Sequence, residues 1–296
     1  MKWLERLNDA LEYIENNLEN NISYEEAARL ACCSVWHFQK MFSYIAEIPL
    51  SEYIRRRRMT NAAFELQSTD IRIIDLSLKY GYDSPTSFNR AFRSIHGISP
   101  SQARNTGITL TAYPKINFSL TIKGNKQLQY RIENKEAFSI SGLKKELHLN
   151  IENNFKILPA YWKKSKTTGV FKKLHKIAYK NLEPIMGVTI YENSKKLQHY
   201  IAIITPDEKI SDTFKYTIPA SKWVIFNCTG AMPDAIQELY KRFYTEWLPN
   251  SGYEYTMKKD IELYYPGDEK SPDYKFELWF SIKKTNSDKR FYFFCT

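Results

Sequence analysis

The sequence lacks what a membrane-bound, secreted or metal-centred protein needs. No apolar run approaches the roughly 20 residues that span a bilayer, so no membrane partner is expected. The start, MKWLERLNDALEYIENN, is amphipathic and acidic, unlike a secretory signal. Cysteine is scarce: Cys32, Cys33, Cys228 and Cys295 show no CxxC or metal spacing, and an adjacent pair rarely closes a disulfide. A reduced, cytoplasmic compartment follows. The five histidines, His37, His96, His148, His175 and His199, form no ligand cluster, and no nucleophile has an evident histidine base. No metal, no other cofactor and no catalytic residue is therefore expected, and the chain is read as a non-enzyme.

What is present is enough apolar material for real cores and a lopsided charge. The chain has 296 residues, of which 43% are hydrophobic and 15% aromatic, and a net charge of +10. That length suggests two domains. Residues 1–107 are roughly neutral, residues 108–181 carry about +11 and the remainder about −1. The overall basicity is thus no argument for nucleic-acid binding by the first third, and the middle lysines read as a solvated face rather than a second DNA contact.

The informative stretch is Asp70 to Arg104, DIRIIDLSLKYGYDSPTSFNRAFRSIHGISPSQAR. It predicts a short helix over Ile71–Leu78, a tight turn at Gly81, and a second helix capped by Ser84 with Pro85 at its first position. Phe88, Phe92 and Ile95 recur as one buried stripe, leaving Thr86, Ser87, Arg90 and Arg93 outside. Helix, glycine turn and polar-faced helix make a helix-turn-helix pattern. The pattern occurs twice. A first helix buries Trp3, Leu4, Leu7, Leu11, Ile14 and Leu18. Ser23 and Glu26 then form a capping box, and Ser34 caps a helix with Val35, Phe38, Phe42 and Ile45 inside and Trp36, Gln39, Lys40 and Ser43 outside. At a shift of about fifty, Phe38 matches Phe88, Phe42 matches Phe92 and Ile48 matches Ile98, with one extra residue in the second turn. Between the two copies, Leu50–Leu66 reads as a long helix carrying Arg55, Arg56, Arg57 and Arg58. These span a full turn, so only some can reach phosphate while others pair with Glu52 or solvent.

With GYDSPTSFNRAFRSIHGISPSQAR and its counterpart IPLSEYIRRRR, residues 1–107 resemble the DNA-binding domain of the AraC/XylS family of bacterial transcription regulators. One departure is Cys32 where the first turn usually holds glycine, so that turn either avoids the left-handed region or strains. The resemblance implies double-stranded promoter DNA as partner and base contacts from Trp36, Gln39 and Lys40 in the first recognition helix and from Thr86, Ser87 and Arg90 in the second. The side-chain chemistry agrees: Arg90 suits guanine, Gln39 adenine, and the Trp36 ring or Thr86 methyl a thymine methyl. Candidates for phosphate are Arg55, Arg58, Arg93 and Arg104, with the helix starts at Ser34 and Ser84. Two such helices on one unit let a monomer or weak dimer read an asymmetric site.

Residues 108–127, with Pro114 and the alternating KINFSLTIKG, read as a linker with a strand or hairpin. Residues 128–296 read as a duplicated βαββ unit with a pseudo-twofold and a shared hollow. The first set is Tyr130–Leu147, a helix from about Asn154 to Lys164, Ile185–Glu192 and Gln198–Ile204. The second is Lys222–Thr229, Asp234–Trp247, Asp260–Tyr265 and Tyr274–Lys283. In DIELYY, Glu262 and Tyr264 share a face; in YKFELWFSI, Glu277 and Trp279 do. If those faces line the hollow, it suits an aromatic or amphipathic cation; otherwise both glutamates are exposed on a half-solvated sheet. From IPASKWVIFNCTGAMPDAIQELYKRFYTEWLPNSGYEYTMKKDIELYYPG onward, this segment is similar to the GyrI-like effector-binding domain. The resemblance implies Glu262 as principal ligand residue, with Tyr264, Glu277 and Trp279 supporting it and Trp162 on the opposite wall. The expected fold class is therefore multidomain, an all-α tandem helix-turn-helix domain followed by an α+β GyrI-like domain. The resemblance implies a regulator, an activator acting through RNA polymerase in response to a small organic effector. A hydrolase using Glu262 as base with Tyr264, or an interaction module whose hollow is filled by its own aromatics, is the alternative for the second domain.

Overall fold

The computed structural model describes residues 2–118, 127–148, 151–180, 183–193, 196–205 and 210–285. The Trp3 side chain, residues 119–126 and Cys295 lie outside them. The chain divides into two compact units, Met1–Leu120 and Thr121–Tyr292. No described helix is long and apolar enough to cross a membrane.

The first unit is helical: α1 (Lys2–Asn16), α2 (Tyr24–Leu30), α3 (Val35–Ala46), α4 (Leu50–Ser68), α5 (Ile73–Lys79) and α6 (Pro85–His96). Its caps are those the residue types favour. Ser23, Ser34 and Ser84 each accept a hydrogen bond from the backbone N–H three residues on. Both motif turns close as Schellman motifs. Gly81 N–H donates to Leu78 O and Tyr82 N–H to Ser77 O, while Cys32 N–H donates to Arg29 O and Cys33 N–H to Ala28 O. Cys32 therefore does take the left-handed conformation, at φ 52°, where the second copy has Gly81 at 76°.

Phe88 and Phe92 are fully buried against Met59, Ala62, Leu66, Leu76 and Tyr80, each contributing about 1.5–3 kcal/mol of burial. The four successive arginines of α4 are divided among three sets of partners. Arg55 and Arg56 both pair with Glu52, and Arg56 also lies over the Tyr113 ring. Arg57 forms a half-buried bidentate pair with Glu15 of α1, and Arg58 donates to the carbonyls of Leu18 and Asn20. Residues 108–118 contain neither strand nor hairpin. They are strapped to the helices instead: Tyr113 N–H donates to Thr60 Oγ1, Ile116 N–H to the Tyr53 hydroxyl and Phe118 N–H to Asn8 Oδ1.

The second unit is α+β. Its strands are β1 (Tyr130–Lys135), β2 (Phe138–Leu147), β3 (Ile185–Asn193), β4 (Lys196–Ile204), β5 (Phe214–Ile218), β6 (Ser221–Thr229), β7 (Tyr253–Tyr264) and β8 (Lys275–Lys284). Its helices are α7 (Ile151–Ser165), α8 (Gly169–Lys180) and α9 (Asp234–Arg242), the last continued by a π-helical turn over Phe243–Trp247. The halves are thus ββααββ and ββαββ, each one strand longer than the βαββ expected and the first also one helix longer. Tyr130–Leu147 is two strands rather than one, and β5 and α8 are additions to the expected order: β5 is a short edge strand with weak alternation, whereas α8 carries a helical stripe, Phe171, Leu174 and Ala178, that the expected order omits.

All eight strands join one sheet in the order β1-β6-β8-β7-β3-β4-β2-β5, with every pair antiparallel. Exchanging the two halves leaves that order unchanged, so the pseudo-twofold runs between β3 and β7. Each half gives its first strand to the other's edge. One sheet face buries Met186, Val188, Ala202, Trp223, Ile225, Ile261, Leu263 and Trp279. The other carries the helices: α8 packs on Ile185, Ile201 and Ile203, and Phe243 of the π-turn stacks on Phe280 at 3.6 Å. The strip β3–β7 lies between these two helical layers.

Candidate functional site

Two sites follow from this fold, one on each unit. In the first unit, α6 presents Thr86, Arg90 and Arg93 as exposed side chains with Ser87 half-exposed, the face its stripe predicts. The Ser84 side chain is taken up by the cap, accepting from Ser87 N–H at 3.2 Å.

The matching face of α3 is different. Trp36, Gln39 and Lys40 are 5%, 3% and 5% exposed, and burial is unbroken from Trp36 to Ser43, more than two turns. The expectation that these residues face outward is therefore corrected. Trp36, Met41 and Tyr44 lie off the Val35–Phe38–Phe42–Ile45 stripe, so α3 carries apolar surface on more than one side. Lys40 and Gln39 can bury their stems among such neighbours, and the Lys40 ammonium sits 4.8 Å from the Trp36 ring centre. Ser34 accepts from His37 N–H at 3.4 Å and contacts the same imidazole through Nδ1 at 2.8 Å. Burial holds that imidazole well below its usual pKa, helped by the nearby Lys40 charge.

Among the phosphate candidates, Arg93 is exposed. Arg55 is half-exposed, donating to Glu52 at 2.8 Å and to Ser94 Oγ at 2.6 Å. Arg58 and Arg104 are half-exposed and engaged as structural ties. Arg58 is held by the carbonyls already named, and a Cβ on Gly81 would stand 3.1 Å from its Nη1. Arg104 donates to the carbonyls of Thr69 and Ile71, closing the end of α4 onto the chain that enters α5. A guanidinium that satisfies helix-terminal carbonyls has fewer N–H groups for a phosphate.

In the second unit, Glu262 sits on the β3–β7 strip directly opposite Gly187. Its two oxygens are approached by two phenols: Tyr240 of α9 donates to Oε1 at 3.1 Å, and Tyr264 donates to Oε2 at 2.7 Å. Burial, followed by the Glu262 charge, pushes the Tyr264 phenol well above its usual pKa, so it stays a proton donor. Trp162 of α7 closes the other wall, its ring 5.1 Å from that of Tyr264 and nearly perpendicular to it. Trp162 Nε1 donates to His199 Nε2 at 3.2 Å. That leaves the imidazole proton on Nδ1, which faces Thr189 Oγ1 at 2.9 Å. Gly187 makes this packing possible, since a Cβ there would lie 3.0 Å from Glu262 Oε2 and 3.1 Å from Trp162 Cζ2. A cleft of about 240 Å³, bordered by Trp162, Tyr264, Phe171, His175, Tyr179 and Tyr274, opens beside the cluster. A half-buried carboxylate beside aromatic rings can attract a cation with an apolar body.

A model of the integron-associated effector binding protein family matches residues 131–282, half of the chain, and a helix-turn-helix domain model matches residues 27–106. The chain is 45% identical over 98 residues to the HTH-type transcriptional activator AarP of Providencia stuartii, a match spanning 33% of this chain and 73% of that protein. It is 32% identical over 102 residues to the multiple antibiotic resistance protein MarA of Escherichia coli K12, spanning 34% and 80%. The chain belongs to both families. It is an AraC-type helix-turn-helix transcription regulator that carries a GyrI-like effector-binding domain. Among solved structures it is similar to SAV2435, in a structure titled as bound to tetraphenylphosphonium, at 24% identity and a TM-score of 0.47 over 52% of this chain and 94% of that one.

Within this regulator the other expected effector residues separate. Antiparallel partners share a sheet face, and the register pairs Glu262 with Leu278 but Leu263 with Glu277. Glu277 and Trp279 therefore lie on the face opposite Glu262, and the single hollow expected for both glutamates is corrected. There Arg131 pairs with Glu277 at 3.0 Å, Trp279 Nε1 donates to the same carboxylate at 2.7 Å, and Trp279 packs against Trp223 in the core. Single-strand alternation could not separate the two glutamates, because both sheet faces are apolar and only the register says which is which. Gly187, His199 and Tyr240 were missed: a glycine, a histidine and a helix tyrosine, each unremarkable in its own segment. Among the described residues no group of three His, Cys, Asp or Glu is placed to hold a metal.

Proposed function

We propose that α6 reads the operator through Thr86, Ser87 and Arg90, with Arg93 and Arg55 on flanking phosphates, and that Glu262 receives an amphipathic cation between Trp162, Tyr240 and Tyr264. The observation that carries the effector reading is the half-buried Glu262 carboxylate, solvated by two phenols and walled by an indole over a glycine. Both carboxylate oxygens accept from phenols, a carboxylate attracts a cation, and ring faces supply the rest of the contact. The equivalent residues of α3, Trp36, Gln39 and Lys40, add base contacts only in a state that exposes them. An effector that binds that state more tightly raises operator affinity by its differential affinity for the two states. The chain then acts as an activator, the sense in which AarP is named.

The test is calorimetric titration of the full chain with tetraphenylphosphonium and with neutral triphenylphosphine oxide. The cation is expected to bind, the neutral compound to bind at least tenfold more weakly, and Glu262→Gln to remove the difference, about 1.4 kcal/mol. Equal binding of both compounds, or an unchanged preference in the variant, contradicts the reading.

A further inference from the structure

The α7–α8 hairpin carries a surface charge of one sign. Residues 153–180 contain eight lysines and neither aspartate nor glutamate. All eight, Lys156, Lys163, Lys164, Lys166, Lys172, Lys173, Lys176 and Lys180, are exposed. Lys166 is paired with Glu269, and Lys173 donates to Ser211 Oγ. Lys172, Lys176 and Lys180 follow one another at four-residue steps along the outer line of α8, and among the described residues no carboxylate lies within ion-pair distance of them. At 1.5 Å rise per residue they form a row of three charges about 12 Å long. The His175 and Tyr179 rings stack beside that row at 5.7 Å and 18°, with Tyr179 57% exposed.

The fold does not require this charge. The pseudo-twofold places α9 where α8 and α7 stand in the other half, and α9 with its π-turn mixes Asp234, Glu238 and Glu246 with Lys241 and Arg242. Both helical layers cover the same kind of sheet surface, so packing accounts for Phe171, Leu174 and Ala178 but not for the lysines. The helix-turn-helix unit, by contrast, contains thirteen basic and thirteen acidic residues over 1–107 and so brings no net charge to a polyanion. Protein–DNA affinity rests heavily on neutralised phosphates.

We infer that the outer face of α8, centred on Lys172, Lys176 and Lys180, is a second, sequence-independent contact surface for duplex DNA. Flexible ammonium groups act there as point charges on phosphate, with the Tyr179 hydroxyl as a further donor. The inference rests on the chain's being a DNA-binding regulator and on no particular contact of α6.

The test uses the full chain and a random-sequence duplex, with affinity measured against salt for the parent, for K172Q/K176Q/K180Q and for K172R/K176R/K180R. Loss of three phosphate contacts lowers the slope of log K against log salt by about 2 to 3, and weakens binding at low salt alike on all sequences. The arginine variant keeps both slope and affinity. The fold is checked by an unchanged Tm. An unchanged slope in the glutamine variant overturns the inference. So does a variant that keeps its DNA affinity but loses binding to phosphatidylglycerol vesicles, which would assign the face to a membrane surface. Failure of the α6 reading looks different: Arg90→Ala would leave base-pair preference intact, whatever the lysine row does.

Discussion

At positions fifty residues apart, Trp36 and Lys40 of α3 are buried, whereas Thr86 and Arg90 of α6 are exposed. The two helices share their inner stripe, their serine caps and their Schellman turns, so what separates them is the side away from the stripe. There α3 has Trp36, Met41 and Tyr44, and α6 has Thr86, Ser94 and two arginines. A duplicated motif can thus keep its scaffold while its copies diverge in what their outer faces touch. The backbone shows the same divergence. Each copy needs left-handed residues after its first and second helices. The second copy supplies Gly81 and Gly97, while the first uses Cys32 at φ 52° and Glu47 at φ 60°. The first copy holds conformations that cost a non-glycine residue about 1 kcal/mol or more each, so packing must stabilise what local preference does not.

The comparison breaks most readily at Trp36. If the α3 face is part of a core, Trp36→Ala lowers unfolding stability by about 3–5 kcal/mol, whereas Thr86→Ala at the matching exposed position changes it by about 0.5 kcal/mol or less. Urea titration of the full chain, followed by far-ultraviolet circular dichroism, checks both. Equal, small effects would show that α3 is as open as α6. A smaller effect sharpens the backbone side. Cys32→Gly and Glu47→Gly each relieve a left-handed non-glycine residue and are expected to raise stability by about 0.5–1 kcal/mol, net of the added freedom of the unfolded chain. The reverse changes, Gly81→Ala and Gly97→Ala, lower it. At Gly81 the loss is the greater, because a methyl there also meets Arg58. Thermal unfolding midpoints rank the four.

Much of this architecture was legible in residue patterns. The stripes Phe88–Phe92 and Phe38–Phe42, the serine caps and the pairing of two copies were readable because helical periodicity and capping are local. The Glu262–Tyr264 face was legible for the same reason, since alternation along one strand is local. What alternation could not supply was the partner strand. Whether Glu277 joins Glu262 depends on a register set by a bulge between Tyr255 and Asp260 and by pairing with β8. Gly187 and His199 enter the site only because β3 lies beside β7 and β4, neighbours distant in the chain. The burial of Lys40 was illegible for a related reason: amphipathic period separates an inner stripe from the rest, and says nothing about whether the rest is covered.

The division of labour between the two copies is tested most directly by operator selection. The affinity of the full chain for its selected site and for all single base-pair variants is measured with the parent protein, with Arg90→Ala and with Lys40→Ala. The account predicts that Arg90→Ala flattens preference at one base pair by about 1–3 kcal/mol, roughly 5- to 150-fold, with an unchanged Tm. Lys40→Ala shifts the Tm and moves the preference less. A preference profile unaltered by Arg90→Ala, or altered chiefly by Lys40→Ala, would contradict it.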